Sequence, residues 1–378
     1  MLKEETGVLA ASTGFGKTVI AAYLIGQRKV NTLVLVHRRQ LLDQWIAHLT
    51  NFLGLSPQEV GQIGSGRRKP TGIVDVATIQ SLHKKGVVDD VVGEYGHLII
   101  DECHHISARS FELVARQSKA KCVLGLSATV IRKDGHHPII FMQCGPVRYR
   151  VDPRVQAAKR PFQHRVLVKK TEFRMSEEIL VANRISIQAI YKALSKDESR
   201  NALIVEDVLE AIKVGRNPVI LTERRDHLKL LTEQLQPHIP NLIVLKGGMG
   251  KKQRRHIQEQ LVTVSDGKPR AILSTGRYLG EGFDDARLDT LFLTLAISWR
   301  GTLAQYAGRL HREYHQKKEV IIYDYLDENV PMLLRMFNKR RRGYHALGYD
   351  VEGYQSSQTQ GESPKEISKL PLDFKDGI

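Results

Sequence analysis

Cysteine, tryptophan, acid and long apolar runs are all scarce. Of 378 residues, three are cysteine (Cys103, Cys122, Cys144) and two are tryptophan. Three thiols at those spacings make neither a disulfide framework nor a zinc-binding set. The reducing cytoplasm is therefore the expected compartment. No apolar run reaches the length of a membrane span. The opening Met1-Leu2-Lys3-Glu4-Glu5 is no signal peptide, so no membrane partner is expected. Acid falls short of base, 41 Asp+Glu against 57 Lys+Arg, which leaves a net charge of +16. That excess favours a polyanion as partner, nucleic acid first, although a merely basic soluble protein also fits. The hydrophobic fraction of 42% is enough to bury ordinary cores, and the length predicts two domains and a tail.

What the chain does have is a phosphate cradle near its start. The apolar run Val8-Leu9-Ala10 reads as a buried strand, and Val19–Ile25 reads as a helix. Between them lies Ala11-Ser12-Thr13-Gly14-Phe15-Gly16-Lys17-Thr18. Gly14 and Gly16 let the backbone bend so that several N–H groups, with that of Thr13, point at one anion. The helix start adds partial positive charge. Lys17 can then reach the β- and γ-phosphates, and Thr18 can ligate Mg²⁺. Ala11 stands where the pattern usually has glycine. On this motif alone, an ordinary strand–loop–helix stays open.

From residue 7 to about 151, apolar runs alternate with amphipathic stretches. Strands are predicted at Val8–Ala11, Leu33–Val36, Ile73–Ala77, Leu98–Ile100, Val123–Leu126 and Val147–Val151. Helices are predicted at Arg39–Leu53 and Ile79–Lys84 among others. Continuous apolar strands with helices between them indicate an α/β fold, a parallel sheet covered on both faces. Pro153 to Pro161 is basic and Pro-punctuated, with no period, and predicts a linker over 153–162. A second α/β alternation follows over 163–346 and ends on a basic helix, Pro331–Tyr344. Residues 347–378 are predicted to be a flexible tail; from Glu352 onward they carry few apolar side chains.

Leu98-Ile99-Ile100 runs into Asp101-Glu102-Cys103-His104-His105. Two acids at the end of an apolar strand lie at a carboxyl edge, where open α/β sheets bind ligands. Asp101 would hold Mg²⁺, and Glu102 would polarise the attacking water. Adjacent histidines point apart and no third ligand is suitably spaced, so a zinc site at His104 and His105 is a weak reading. Asp-Glu-Cys-His after such a loop resembles helicase superfamily 2 in its DEAD/DEAH style. The later motifs follow in family order and cover nearly all of residues 7–345.

That resemblance implies two tandem RecA-like domains, each a largely parallel sheet with helices on both faces. It also implies ATP and Mg²⁺ as cofactors and nucleic acid as partner. Leu35–Leu41 resembles the motif in which Arg39 or a neighbour touches a nucleic-acid phosphate. Ala77–Leu82 resembles the next, with Thr78 and Gln80 as contacts. Ser127-Ala128-Thr129 resembles the motif that couples nucleotide to strand, through Ser127 and Thr129. In Thr275–Asp284, Thr275 would contact the strand while Gly282 and Asp284 face the nucleotide. Gln305–Arg312 resembles the last motif, with Gln305, Arg309 and Arg312 as catalytic residues. Arg309 and Arg312 are three apart on a predicted helix and so share one face, from which closure of the second domain would bring them to the γ-phosphate.

Residues 125–132 with Phe141–Pro146 are similar to XPB-type and type III restriction-type DNA helicases. The Gly247–Gln253 segment, with Gly248 as a further strand contact, looks like prokaryotic relatives linked with mobile-element conflict systems of the TOTE type. In those systems the helicase is one part of a longer polypeptide or operon. The family's upstream adenine-reading Gln has no counterpart among the residues before Ala10, so either the chain is a fragment or adenine is held some other way. Basic clusters at Arg67-Arg68-Lys69, Lys251–Arg255 and Arg340-Arg341-Arg342 can meet phosphates or simply face solvent. The expected activity is DNA-stimulated ATP hydrolysis by a monomer, driving translocation or unwinding. An RNA helicase of the same architecture, an ATP-gated clamp, and a metabolic kinase remain as rivals.

Overall fold

The computed structural model describes residues 1–84, 86–105, 109–128, 138–175, 186–264, 267–276, 285–297 and 300–354; for 105, 109, 251, 254, 258, 262 and 300 it describes the backbone alone. Two lobes are built on two large sheets. The first contains β1 (Thr6–Ala10), β2 (Thr32–Val36), β3 (Val60–Gly64), β4 (Arg67–Lys69), β5 (Val74–Thr78), β8 (His97–Ile100), β9 (Cys122–Ser127) and β10 (Val147–Arg150). A small hairpin, β6 (His83–Lys84) with β7 (Val87–Val88), lies outside it. The spatial order is β10-β1-β9-β8-β2-β5-β3-β4, parallel throughout except for β3 with β4. Every residue of β2 and β5 is buried, as strands covered on both faces require. One face carries the core around Leu33, Leu35, Leu98 and Ile100; the other carries Leu9, Val34, Trp45 and Leu126.

The second sheet contains β11 (Gln163–Lys170), β12 (Pro218–Thr222), β13 (Asn241–Leu245), β14 (Arg270–Thr275), β15 (Thr290–Leu293), β16 (Glu319–Leu326) and β17 (Asp350–Glu352). Its order is β13-β14-β12-β15-β16-β11-β17, and every pairing is parallel. It too has a core on each face, one around Val219, Leu291 and Ile322, the other around Ile220, Leu273 and Phe292.

Helix α1 (Lys17–Arg28) leaves β1, and α2 (Arg39–Leu53) leaves β2. The α2 apolar positions Leu42, Trp45 and Leu49 recur at helical spacing and are buried against the sheet. Gly54, at φ 64°, stops α2 in the left-handed conformation that glycine adopts at no steric cost.

Several sequence expectations are corrected. The hairpin β3–β4 was not predicted, because Val60-Gly-Gln-Ile-Gly is too polar to read as a strand. Its signal lay in Ser65-Gly66, both at positive φ, the two-residue turn that hairpins prefer. The predicted helix Ile79–Lys84 stops at Leu82, since His83 and Lys84 pair in the small hairpin. Pro153–Ala158, read as irregular linker, is a helix. Asp152 caps it by accepting from the Arg154 N–H, and Pro153 fits its first turn. The predicted tail begins too early. Asp350–Glu352 joins the sheet beside β11, where Arg165 grips Glu352 through two nitrogens, at 2.7 and 2.8 Å. Residues 355–378 lie outside the described residues; the sequence also predicts a helix over Ser176–Leu194, of which Ile187–Leu194 is described as helix and 176–185 lie outside the described residues.

Arg340 is not a surface phosphate contact. It is buried and makes a two-pronged bond to Asp324, 2.8 Å on each side, while the Tyr344 hydroxyl donates to the same carboxylate. Deleting one partner of such a pair strands a buried charge. Asp324→Asn is therefore expected to cost about 3–5 kcal/mol, whereas Arg342→Ala, in the same basic run, should stay within about 0.5 kcal/mol; denaturant midpoints of the two variants check this.

Candidate active site

The turn after β1 has the backbone expected of an anion cradle. Gly14 and Gly16 sit at φ 81° and 92°, and no side chain caps the start of α1, which leaves its first N–H groups to another acceptor. Lys17 folds back over the loop and donates to the Ala11 and Ser12 carbonyls at 2.9 and 3.2 Å. Its ammonium is thus held directly above the turn.

Two strands away in the sheet, β8 delivers Asp101 and Glu102 to the same edge. Asp101 is nearly buried. Its Oδ2 accepts from the Trp45 indole N–H at 2.7 Å, and its Oδ1 accepts from the Glu102 N–H at 3.0 Å. Burial, then the neighbouring Glu102 charge, push the Asp101 carboxyl above the ordinary aspartate range, while Trp45 and Lys17 pull it down. A carboxylate so placed gains from a cation. Thr18 and Asp101 both line the cleft, so the donor set fits Mg²⁺. Glu102 is held at φ 49°, a left-handed conformation costly for a non-glycine residue and typical of working sites. Its Oε2 lies 3.2 Å from His104 Nδ1, and that nitrogen is 3.0 Å from Ser127 Oγ. His104 thereby joins the acid to the end of β9, while the Ala11 N–H donates to the Ser127 carbonyl at 3.0 Å.

The second lobe closes this edge. A cleft of about 570 Å³ is lined from the first lobe by Thr13, Gly14, Gly16, Lys17, Thr18, Asp101 and Glu102. Arg309 and Arg312 line it from the second lobe. The helix predicted to carry both arginines, Arg300–Leu310, stops before Arg312, which lies in the following turn. The cleft reunites them nonetheless. Gln305, one turn before Arg309, does not line it. The lobes touch closely here: a Cβ on Gly308 would stand 2.5 Å from Thr13 Cβ, so only glycine permits this approach. Across the same seam, a Cβ on Gly14 would be 3.2 Å from the Gly308 carbonyl oxygen.

Sequence reasoning missed Trp45, Gln156, Arg160 and His311, all of which line the cleft. Gln156 accepts from the Ser12 hydroxyl at 2.7 Å and ties the connecting helix to the phosphate loop. Trp45 carried only a core signal, its helical spacing with Leu42 and Leu49.

The predicted strand-contacting residues are spread along the carboxyl edges of both sheets. Arg39 opens α2, its guanidinium 4.0 Å from Asp43. Gln80 is exposed and donates to the His37 carbonyl at 3.1 Å. Thr78 is buried, its hydroxyl 2.7 Å from that of Ser81. Gly248, at φ 87°, lies in the turn after β13, and Thr275 ends β14. Next to it, a Cβ on Gly276 would collide with Glu223 and the Tyr306 hydroxyl, themselves 3.1 Å apart. Thr129, Gly282 and Asp284 lie outside the described residues.

Comparison with known proteins bears on the family and the fold. Residues 2–132 match the family described as the res subunit of type III restriction enzymes. A DNA 3'-5' translocase, XPB2, from Sulfurisphaera tokodaii is 26% identical, over 85% of this chain and 78% of its own. A putative ATP-dependent RNA helicase of Acanthamoeba polyphaga mimivirus is also 26% identical, over 93% of this chain and 66% of its own. The chain thus spans about two thirds to four fifths of these relatives. The XPB DNA helicase of Mycobacterium tuberculosis is 34% identical over 38% of this chain and 27% of its own. Two solved structures share the fold. Yeast Dbp5 bound to RNA and ADP-BeF3 has a TM-score of 0.62 at 13% identity, over 92% of this chain and 85% of its own. The DNA-bound type ISP restriction-modification enzyme LlaBIII has a TM-score of 0.65 at 14% identity, over 95% of this chain and 30% of its own. The family match and these relatives together support an ATP-hydrolysing helicase of superfamily 2, in the branch of the XPB-type and type III restriction-type enzymes.

Proposed function

We propose that this chain couples hydrolysis of Mg²⁺-ATP in the cleft to translocation along DNA, or separation of its strands. The observation that carries the reading is the meeting of Lys17, Asp101 and Glu102 with Arg309 and Arg312 in one cleft formed by two lobes. Thr13, Gly14 and Gly16 cradle the phosphates, with Lys17 on the terminal pair. Thr18 and Asp101 hold Mg²⁺, which supplies charge neutralisation at the phosphates. Glu102 accepts the proton of the attacking water, and His104 fixes its orientation. Arg309 and Arg312 stabilise the charge that develops as the terminal phosphoryl group leaves. Gly282 and Asp284 complete the site, Gln305 acts on it from one turn before Arg309, and Ser127 and Thr129 couple it to the strand.

Because the arginines belong to the second lobe, hydrolysis requires closure and product release permits opening. Nucleic acid lying along both carboxyl edges, on Arg39, Thr78, Gln80, Gly248 and Thr275, is then gripped differently in the two states. Curated XPB-type relatives named for DNA support DNA as the track, and the mimivirus relative named an RNA helicase keeps RNA as the second reading. The chain acts as a monomer in this reading, as part of a longer polypeptide or operon. No described helix is long and apolar enough to cross a membrane; action in the cytoplasm is part of the proposal.

Lys17→Ala and Glu102→Gln should abolish steady-state hydrolysis, with ATP binding kept in Glu102→Gln; turnover at the wild-type rate in that variant would remove Glu102 from the mechanism. Gly308→Ala should lower kcat by at least about tenfold while the first lobe still binds ATP, measured by nucleotide titration beside turnover. Hydrolysis should be stimulated more by DNA than by RNA at one fixed salt concentration. Arg39→Ala should weaken DNA binding and reduce the slope of log affinity against log salt by about one, with the KM for ATP unchanged.

A further inference from the structure

We propose that Arg160, in the segment joining the two lobes, is a third guanidinium that contacts the phosphates of the bound nucleotide. The inference rests on the nucleotide reading of the cleft given above. Three buried arginines elsewhere in the second lobe each have a carboxylate partner, although Arg270 also keeps one buried nitrogen, Nη2, unbonded. Arg200 pairs with Asp327 at 2.8 Å, Arg340 with Asp324 at 2.8 Å, and Arg270 with Asp285 at 2.7 Å. The buried Lys317 donates to the Ala286, Leu310 and Arg312 carbonyls at 2.8, 2.9 and 2.7 Å.

Arg160 breaks this pattern. Its Nη2 is buried without a hydrogen-bond partner, and its Nη1 has only the ring nitrogen Nε2 of His164, at 3.4 Å. No carboxylate among the described residues lies within ion-pair distance of it. Burial lowers its proton affinity, and Tyr349 and Glu313 offset this only at longer range. The His164 ring, pushed down to about 4 by burial and then by Arg160 itself, is neutral and supplies no counter-charge. Arg160 is half-buried, and a guanidinium whose inner nitrogen is shut off from water without an anion is costly.

The location identifies the missing anion. Arg160 lines the same cleft as Lys17, Arg309 and the phosphate loop. The preceding helix is tied to that loop by Gln156 and Ser12. His311, in the same wall, also has a buried nitrogen, Nδ1, without a partner, although its Nε2 is 2.8 Å from the Tyr349 hydroxyl. Phosphate oxygens are the acceptors a planar guanidinium suits best. A contact made from the joining segment senses the nucleotide at the point about which the lobes move.

The test is steady-state hydrolysis at saturating DNA, with separate titrations of ATP and of DNA, on the wild type, Arg160→Ala, Arg160→Gln and Arg160→Lys. Arg160→Ala and Arg160→Gln should raise the KM for ATP about tenfold, with kcat within about threefold, and Arg160→Lys should recover part of the loss. Thermal midpoints should not fall, because an unanswered charge has been removed. DNA affinity without nucleotide should be unchanged. An unchanged KM for ATP in the folded glutamine variant overturns the assignment, as does a loss that falls on DNA binding alone. A wild type that neither binds nor hydrolyses ATP overturns the nucleotide reading itself, a different result from an active wild type matched by its Arg160 variants.

Discussion

Parallel pairing is the constraint on which the cleft depends. A strand that runs parallel to its neighbour must be reached by a crossover, so every strand ends on the same edge of its sheet. Fourteen pairings here are described between strands, and within the two large sheets all but the β3–β4 pair are parallel. Groups far apart in sequence, such as Lys17 after β1 and Asp101 after β8, therefore arrive at one edge without any loop having to reach for the other. Apposing two such edges gives a site with one half on each lobe.

Closeness across that seam is set by glycine. Gly308 lies where any side chain would strike Thr13, and Gly14 lies against the Gly308 carbonyl. The arginines reach the cleft only because backbone meets backbone here. The helix Pro153–Ala158 adds a third support. It bonds to the phosphate loop through Gln156 and Ser12, and to the second lobe through Arg154 and the His345 carbonyl at 2.8 Å. What reads in the sequence as a loose joint is a short rigid strut in contact with both partners.

Legibility followed the physics of each element. Buried strands such as β2 and β8 were plain, because covering both faces forces a continuous apolar run. The phosphate loop and the acids after β8 were plain too, because the chemistry leaves little choice of residue. The hairpin β3–β4 sits at a sheet edge and needs no such run, so its sequence looked like loop. Glu352 looked like part of a polar tail, yet its carboxylate answers Arg165, a partner 187 residues away that no local pattern reveals. Arg340 failed for the opposite reason. Its neighbours are exposed, and the run of three arginines hid the one whose partner, Asp324, is buried. Trp45 and Arg160 serve the cleft from positions whose local pattern speaks only of core and linker.

The short strand β17 has a mechanical consequence. It is the outermost strand of the second sheet, hydrogen-bonded to β11 and clamped by Arg165. Tyr354, the last described residue, thus lies just beyond the rim strand of the second lobe. In the proposed motor, anything joined at that rim is carried by the lobe that supplies the arginines and not by the one that holds the phosphates.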